Sequence, residues 1–178
     1  MNFIPLHLYS GYSFLKSGIL FPKLIFSLKK NDFNVVGLSD LNVMYGYPSF
    51  NKICLENNIK PIFGLALIVN ENLFTLYVKN ENGYKNLCQI STFLEKKDGF
   101  CKDFSEIKDF LYDLICVIST KQSKIFKTIN EGIFTSELYK INKYFNDDFY
   151  ISLEIYNQYD TLNASLLKEF ATSHSYNL

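Results

Sequence analysis

A chain of 178 residues is the size of one domain, long enough to bury about two-thirds of the surface its unfolded form exposes. With 48% hydrophobic and 20% charged residues it has the composition of an ordinary globular protein, which excludes a disordered one. Eighteen lysines and no arginine meet eighteen acidic residues, so composition supplies neither a net pull towards nucleic acid nor the bidentate fork that grips phosphate.

Taken in order, residues 3–9 read as a first buried strand, ended by the polar turn Ser10-Gly11. Leu20, Leu24, Ile25 and Leu28 then recur on one face of a helix, with Pro22 near its start. Residues 34–38 form a short apolar run with the look of a buried strand. A polar loop from Ser39 to Tyr47 follows. Pro48 opens a helix carrying Phe50, Ile53, Cys54 and Leu55, and Asn57-Asn58 stops it. Residues 60–69 read as the next strand. Strand, loop, helix and strand make a βαβ unit, whose chemistry belongs on the loop leaving the first strand's C-terminal end. A polar break at residues 70–72 predicts a hairpin to a strand at 73–79. Asn82-Gly83 reads as a break before a helix with Tyr84, Leu87, Cys88, Ser91 and Leu94 on one side. Beyond it we expect a short helix at 103–111, a buried strand at 114–118, helical segments at 124–130 and 135–145, and a strand at 149–154. A last helix has Leu162, Leu166, Leu167 and Phe170 on one face. Strands alternating with helices argue an α/β domain.

Cys54, Cys88, Cys101 and Cys116 are 34, 13 and 15 residues apart, with no CxxC pair, and read as buried or incidental thiols of a reducing cytosol. No charged-then-apolar leader and no apolar run of about 18 residues is present, so neither export nor a membrane partner is expected. Asp147-Asp148 reads as a turn rather than a carboxylate pair. The many Tyr and Phe residues fall on helix faces and strands, which favours a core role over base stacking.

Ser39-Asp40-Leu41-Asn42-Val43-Met44-Tyr45-Gly46, with Ser10-Gly11-Tyr12-Ser13-Phe14-Leu15 before it and Asn58-Ile59-Lys60-Pro61-Ile62-Phe63-Gly64 after it, resembles the N-terminal PHP (polymerase and histidinol phosphatase) domain of bacterial DNA polymerase III alpha subunits, especially the short form of low-GC bacteria. The likeness continues at Lys79-Asn80-Glu81-Asn82-Gly83-Tyr84-Lys85-Asn86-Leu87 and at Phe149-Tyr150-Ile151-Ser152-Leu153-Glu154. It implies a distorted β/α barrel, with residues 1–178 a single PHP domain fragment. The chain would end at Leu178 before the family's next strand, and the polymerase core is expected beyond its C-terminus.

An active site of this family holds a metal cluster on many His, Asp and Glu side chains, which match hard cations and let them turn water into hydroxide for attack on a phosphate ester. On the resemblance, His7 stands at the first ligand position, but Tyr9 replaces the second, and a phenol with a pKa near 10 is a poor ligand beside imidazole. Lys16 stands where the active form has an acid or histidine, Leu41 replaces the histidine beside Asp40, and Ala66 replaces a strand-ending glutamate. His174 matches no ligand position. We therefore expect neither catalytic residue nor metal in this chain, with His7 and Asp40 as vestiges. His7 would hydrogen-bond the loop. Asp40 would accept backbone N–H groups of the loop up to Gly46. Gly46 and Gly64 are expected to be structural.

The implied function is a non-catalytic, structural domain of a replicative polymerase. The parent would perform template-directed DNA synthesis in the cytoplasm with divalent magnesium in its own catalytic domain. This chain would carry no cofactor, and its partners would be the rest of the alpha chain and, through it, replisome subunits and DNA. The alternatives are a metal-dependent phosphoesterase or 3′–5′ proofreading exonuclease with a reduced site at His7 and Asp40, and a free-standing binding protein.

Overall fold

The computed structural model describes residues 3–128 and 133–178. In chain order the elements are α1 (Phe21–Lys30), β1 (Val35–Leu38), α2 (Tyr47–Glu56), β2 (Lys60–Val69), β3 (Asn72–Val78), α3 (Glu81–Lys96), β4 (Leu114–Ile118), α4 (Ile133–Phe145), β5 (Phe149–Ile151) and α5 (Gln158–Ser173). The five strands form one open mixed sheet in sequence order. The outer pairs β1–β2 and β4–β5 are parallel, and the inner pairs β2–β3 and β3–β4 antiparallel.

Local chemistry explains most boundaries. Asn58 takes φ 56° just past α2, and Ile59 N–H donates to Cys54 O at 2.9 Å, the left-handed exit expected from Asn57-Asn58. The β2–β3 hairpin turns on Asn70 and Glu71, both with positive φ, between the paired residues Val69 and Asn72. Asn72 is thus the first residue of β3 and not part of the break.

Residues 3–9 do not form a regular strand. Gly37 N–H donates to Pro5 O at 2.7 Å and Ser39 N–H to Leu8 O at 2.9 Å, steps of two on one side and three on the other. Pro5 has no N–H to give a ladder, so the segment lies beside β1 with a bulge. Asn82-Gly83 is not a break either. Asn80 Oδ1 caps α3 by accepting Gly83 N–H at 3.0 Å, and a Cβ on Gly83 would stand 2.2 Å from Asp113 O. That glycine serves close approach within the first helical turn.

Residues 103–111 hold two short 3-10 helices, Phe104–Glu106 and Lys108–Phe110, because Asp103 Oδ1 takes Ser105 N–H at 2.7 Å in a tight local turn. Lys124–Thr128 is likewise 3-10, and the rest of the segment expected at 124–130 lies outside the described residues. On α5, Leu167 and Ala171 are buried, whereas Leu162 is 69% and Leu166 52% exposed. The buried stripe is set by Asp160, which accepts Tyr156 N–H at 2.9 Å and pairs with Lys121. After α5 the chain returns to the sheet edge, where Asn177 makes a single parallel bridge with Tyr150.

Two apolar clusters form the core among the described residues. The smaller joins Ile25 and Leu28 of α1 to Val36, Leu38, Phe50 and Cys54. The larger packs Leu65, Leu67, Phe74 and Leu76 against Leu87, Ile90 and Leu94 of α3 and Leu138 of α4. One sheet face is lined by a groove of about 830 Å3 that reaches from Leu6 at the β1 side to Leu153 and Leu178 at the β5 side. The sheet is therefore curled, and among the described residues it stays open.

Candidate functional site at the C-terminal end of β1

Ser39 and Asp40 follow directly on β1, and the main chain there goes on pairing with β2. Ala66 N–H donates to Asp40 O at 3.0 Å, and Asn42 N–H to Ala66 O at 2.8 Å, so Leu41 and Ala66 bridge. Beneath them Tyr47 is buried. Its hydroxyl accepts Asp40 N–H at 3.2 Å and donates to Gly64 O. Burial pushes that phenol well above its usual pKa, helped by the charge of Asp40, so it remains the donor this arrangement needs.

The Asp40 carboxylate is fully buried and accepts three hydrogen bonds. Ser10 N–H reaches Oδ1 at 2.6 Å, Ser13 Oγ reaches Oδ1 at 2.6 Å, and Ser10 Oγ reaches Oδ2 at 2.7 Å. These donors lie on the loop before α1, not on the loop up to Gly46 as expected. The backbone around Asp40 is already committed to Ala66 and Tyr47, so the side chain crosses to the earlier loop. Ser13 Oγ in turn accepts Leu41 N–H at 3.0 Å, which closes the network.

His7 lies on the bulged segment beside β1. Its Nδ1 is 3.1 Å from Ser39 Oγ and 3.2 Å from Thr75 Oγ1, and the Tyr9 ring meets its own edge-on at 4.9 Å. The outer surface of His7 is open, but this enclosed edge is desolvated, which lowers the imidazole pKa, partly offset by the charge of Glu154. Burial, then the charges of Asp40 and Glu154, push the Tyr9 phenol up to about 12. It stays protonated and neutral at ordinary pH. Thr75 is the cross-strand partner of Ala66, so His7 reaches the strand pair that carries the Ala66 position.

Lys16 is exposed on the 10–19 loop and shares a cleft with Ser13 and Leu41. The structure thus sets Tyr9 against His7, with Asp40 next to its partner Ser39 and Ala66 across from its partner Thr75, while Leu41 bridges Ala66 and Lys16 lines the neighbouring cleft. His174 is elsewhere, stacked on Phe170 at 4.3 Å near the end of α5. Asp148 lies in a 3-10 turn and pairs with Lys79 at 2.6 Å, in keeping with a turn at Asp147-Asp148.

Glu154 belongs to this neighbourhood and was not picked out from sequence. Burial works to raise its pKa. Hydrogen bonds from Ser119 Oγ at 2.6 Å, Ser152 Oγ at 2.7 Å and Tyr156 Oη at 3.0 Å outweigh this, and the net shift is downward. Its signal was position: it follows β5 as Asp40 follows β1, at the C-terminal end of a parallel strand.

Gly46 has φ −79°, open to any residue, so its requirement is space. A Cβ would lie 2.6 Å from the Tyr12 ring and 3.0 Å from Phe21. At Gly64 a Cβ would lie 2.6 Å from the Tyr77 ring. Gly37 is tighter still, with Leu6 O at 2.2 Å.

As a metal centre the donor set does not fit. Among the described residues no group of three or more His, Cys, Asp or Glu side chains is placed to hold an ion. Asp40 has three of its roughly four acceptor sites engaged, two on Oδ1 and one on Oδ2, and Glu154 is similarly held by hydroxyls.

The chain is similar to DNA polymerase III alpha subunits. It is 29% identical over 116 residues to that of Staphylococcus aureus, covering 63% of this chain and 11% of the relative. To that of Halalkalibacterium halodurans it is 32% identical over 126 residues, covering 66% and 11%. The Staphylococcus epidermidis protein is 34% identical over 91 residues, 49% of this chain and 8% of its own length. The match thus spans about a tenth of the length of these relatives, in their N-terminal region. Residues 5–156 match the PHP domain, and the chain belongs to that family.

Proposed function

We propose that this chain is a non-catalytic, structural PHP domain that supports a replicative DNA polymerase of the polymerase III alpha type. The observation that carries this reading is the state of Asp40: a buried carboxylate that already accepts three hydrogen bonds from Ser10 and Ser13, with the apolar Leu41 and Ala66 bridged beside it. Lys16, in the cleft it shares with Ser13 and Leu41, adds a positive charge nearby, which disfavours a cation. The curled open sheet is then part of a distorted β/α barrel whose remaining strands belong to the parent polypeptide. That parent would be a cytoplasmic DNA-directed DNA polymerase using divalent magnesium in its own catalytic domain. It would link this domain to the replisome and to DNA.

The test is metal content joined to hydrolysis. After dialysis the purified chain should retain substoichiometric zinc, manganese or iron, and should not cleave a phosphodiester such as bis-p-nitrophenyl phosphate with added manganese. A stoichiometric metal, with hydrolysis that EDTA removes and His7→Ala abolishes in protein of normal stability, would overturn the reading in favour of a reduced phosphoesterase or exonuclease site.

A further inference from the structure

Near the site, the 10–19 loop carries the most exposed large apolar side chains among the described residues. Phe14 is 84% and Leu15 88% exposed, and Leu15 has φ 57°, a left-handed conformation that a leucine rarely takes. The loop is nevertheless tied down. Ser10 and Ser13 hold it to Asp40, Gly11 N–H donates to Ile19 O at 3.0 Å, and Lys16 N–H to Ser13 O at 2.9 Å. Phe14 and Leu15 thus form a preorganised apolar shelf, the kind of surface that binds with little ordering cost.

Beside the shelf opens a cleft of about 320 Å3, room for one or two side chains, in which the exposed rings of Tyr12, Phe14 and Tyr45 meet the carboxylates of Glu95 and Asp98. Glu95 accepts the Tyr45 hydroxyl at 2.9 Å. Lys16 is the one cation among the lining residues, so two carboxylates against one ammonium leave a negative excess. The nearby Lys97 ammonium is turned to the Phe93 ring at 6.0 Å. Asn42 also lines the cleft, and its Oδ1 is buried with no hydrogen-bond partner among the described residues. Aromatic faces beside carboxylates attract a cation and repel phosphate. A guanidinium suits such a place best, since it stacks on rings and brings several donors at once.

We infer that this cleft docks a protein partner by taking one of its basic side chains, arginine above all, while an apolar neighbour of that residue lies on Phe14 and Leu15. The inference goes beyond the loss of catalysis and does not depend on it. A phosphoesterase activity in the assay above would leave it standing, and its own failure would leave that reading untouched.

The test titrates the isotope-labelled 178-residue chain with the blocked peptides Ac-Leu-Arg-Phe-NH2 and Ac-Leu-Glu-Phe-NH2 and with a short oligothymidylate, reading backbone amide shifts. The arginine peptide should shift Asn42, Tyr45, Asp98 and Gly99 with a Kd in the range of about 1 mM, as befits a fragment of a larger interface. Asp98→Asn, which keeps a residue suited to the left-handed backbone there (φ 53°), should weaken it several-fold and Lys16→Glu should tighten it, because both act on the local charge. Asp98 and Lys16 are exposed, so each variant should keep the wild-type spectrum away from the cleft. If one does not fold, the other still decides. Equal or tighter binding of the glutamate peptide or oligothymidylate would overturn the proposal. So would an arginine-peptide affinity that neither charge change moves, or shifts confined to other parts of the molecule.

Discussion

Replacing Asp40 by asparagine separates a structural carboxylate from a catalytic one. The side chain keeps its shape but loses its charge and gains a donor. Ser10 N–H and Ser13 Oγ, both on Oδ1 at 2.6 Å, can keep an oxygen acceptor. Ser10 Oγ, at 2.7 Å from Oδ2, would face an NH2 and must turn its own proton away while still accepting Tyr12 N–H at 3.2 Å. Charge-assisted hydrogen bonds are about twice as strong as neutral ones, so the two retained bonds lose roughly 1 kcal/mol each. Inverting the third brings the total to about 2–3 kcal/mol. Urea unfolding of the 178-residue chain should show that loss as a lowered midpoint with an unchanged slope. If the domain serves a polymerase as proposed, the rate of nucleotide addition by that polymerase should stay near wild type for both Asp40→Asn and His7→Ala. Unchanged stability in Asp40→Asn would refute the account of the carboxylate as a clamp. Loss of a metal-dependent activity in normally stable protein would refute the account of the site as lost, since one effect acts on folding and the other on turnover.

Gly46→Val should cost at least about 1 kcal/mol in thermal or urea unfolding, because the Tyr12 ring must give way; an unmoved midpoint would count against the contact. Gly37→Ala should cost more, about 2–4 kcal/mol, since its Cβ would meet the Leu6 carbonyl and a backbone cannot swing aside. His7 has a folded-state pKa below its usual 6.5, so the unfolded chain takes up the proton first as pH falls. Its contribution is present above pH 6.5 and is lost as pH falls through the folded value, so His7→Gln should flatten the stability profile below neutrality; an unaltered slope would dismiss the desolvated Nδ1 edge. Glu154 has the same sign at lower pH, near and below its usual 4.5, and Glu154→Gln should lessen the loss of stability there relative to wild type.

The parts of the fold readable from sequence were those governed by residues close together in the chain. Pro48 and Asn57-Asn58 bracket α2, and an apolar run with a polar break yields the β2–β3 hairpin, because caps and turns are local chemistry. The misreadings at Gly83 and on α5 involve partners far along the chain, whereas the one at residues 3–9 turns on a local residue, Pro5. Gly83 looked like punctuation because the sequence does not show Asp113 O pressing on it. Residues 3–9 looked like a strand because their apolar pattern is right; the ladder fails on Pro5. Leu162 and Leu166 looked buried because four apolar positions make a stripe, but Asp160 and its pairing with Lys121 fix which part of it turns inward.

The site shows the same division at finer scale. The family resemblance marks Tyr9, Lys16, Leu41 and Ala66 as positions where a metal ligand would be missing, since an ammonium or an alkyl group is a poor ligand in any setting. It does not reveal what Asp40 does instead, because its partners are 27 to 30 residues upstream and are serines, the least distinctive of donors. A buried carboxylate needs hydrogen bonds to offset its desolvation, and Ser10 and Ser13 supply them. In doing so they fix the loop that displays Phe14 and Leu15. The Asp40 carboxylate thereby holds a surface in shape, so clamping and docking become separable by mutation: Asp40→Asn should loosen the loop and lower stability, whereas Asp98→Asn, which suits the left-handed backbone there, should alter binding and leave stability nearly unchanged.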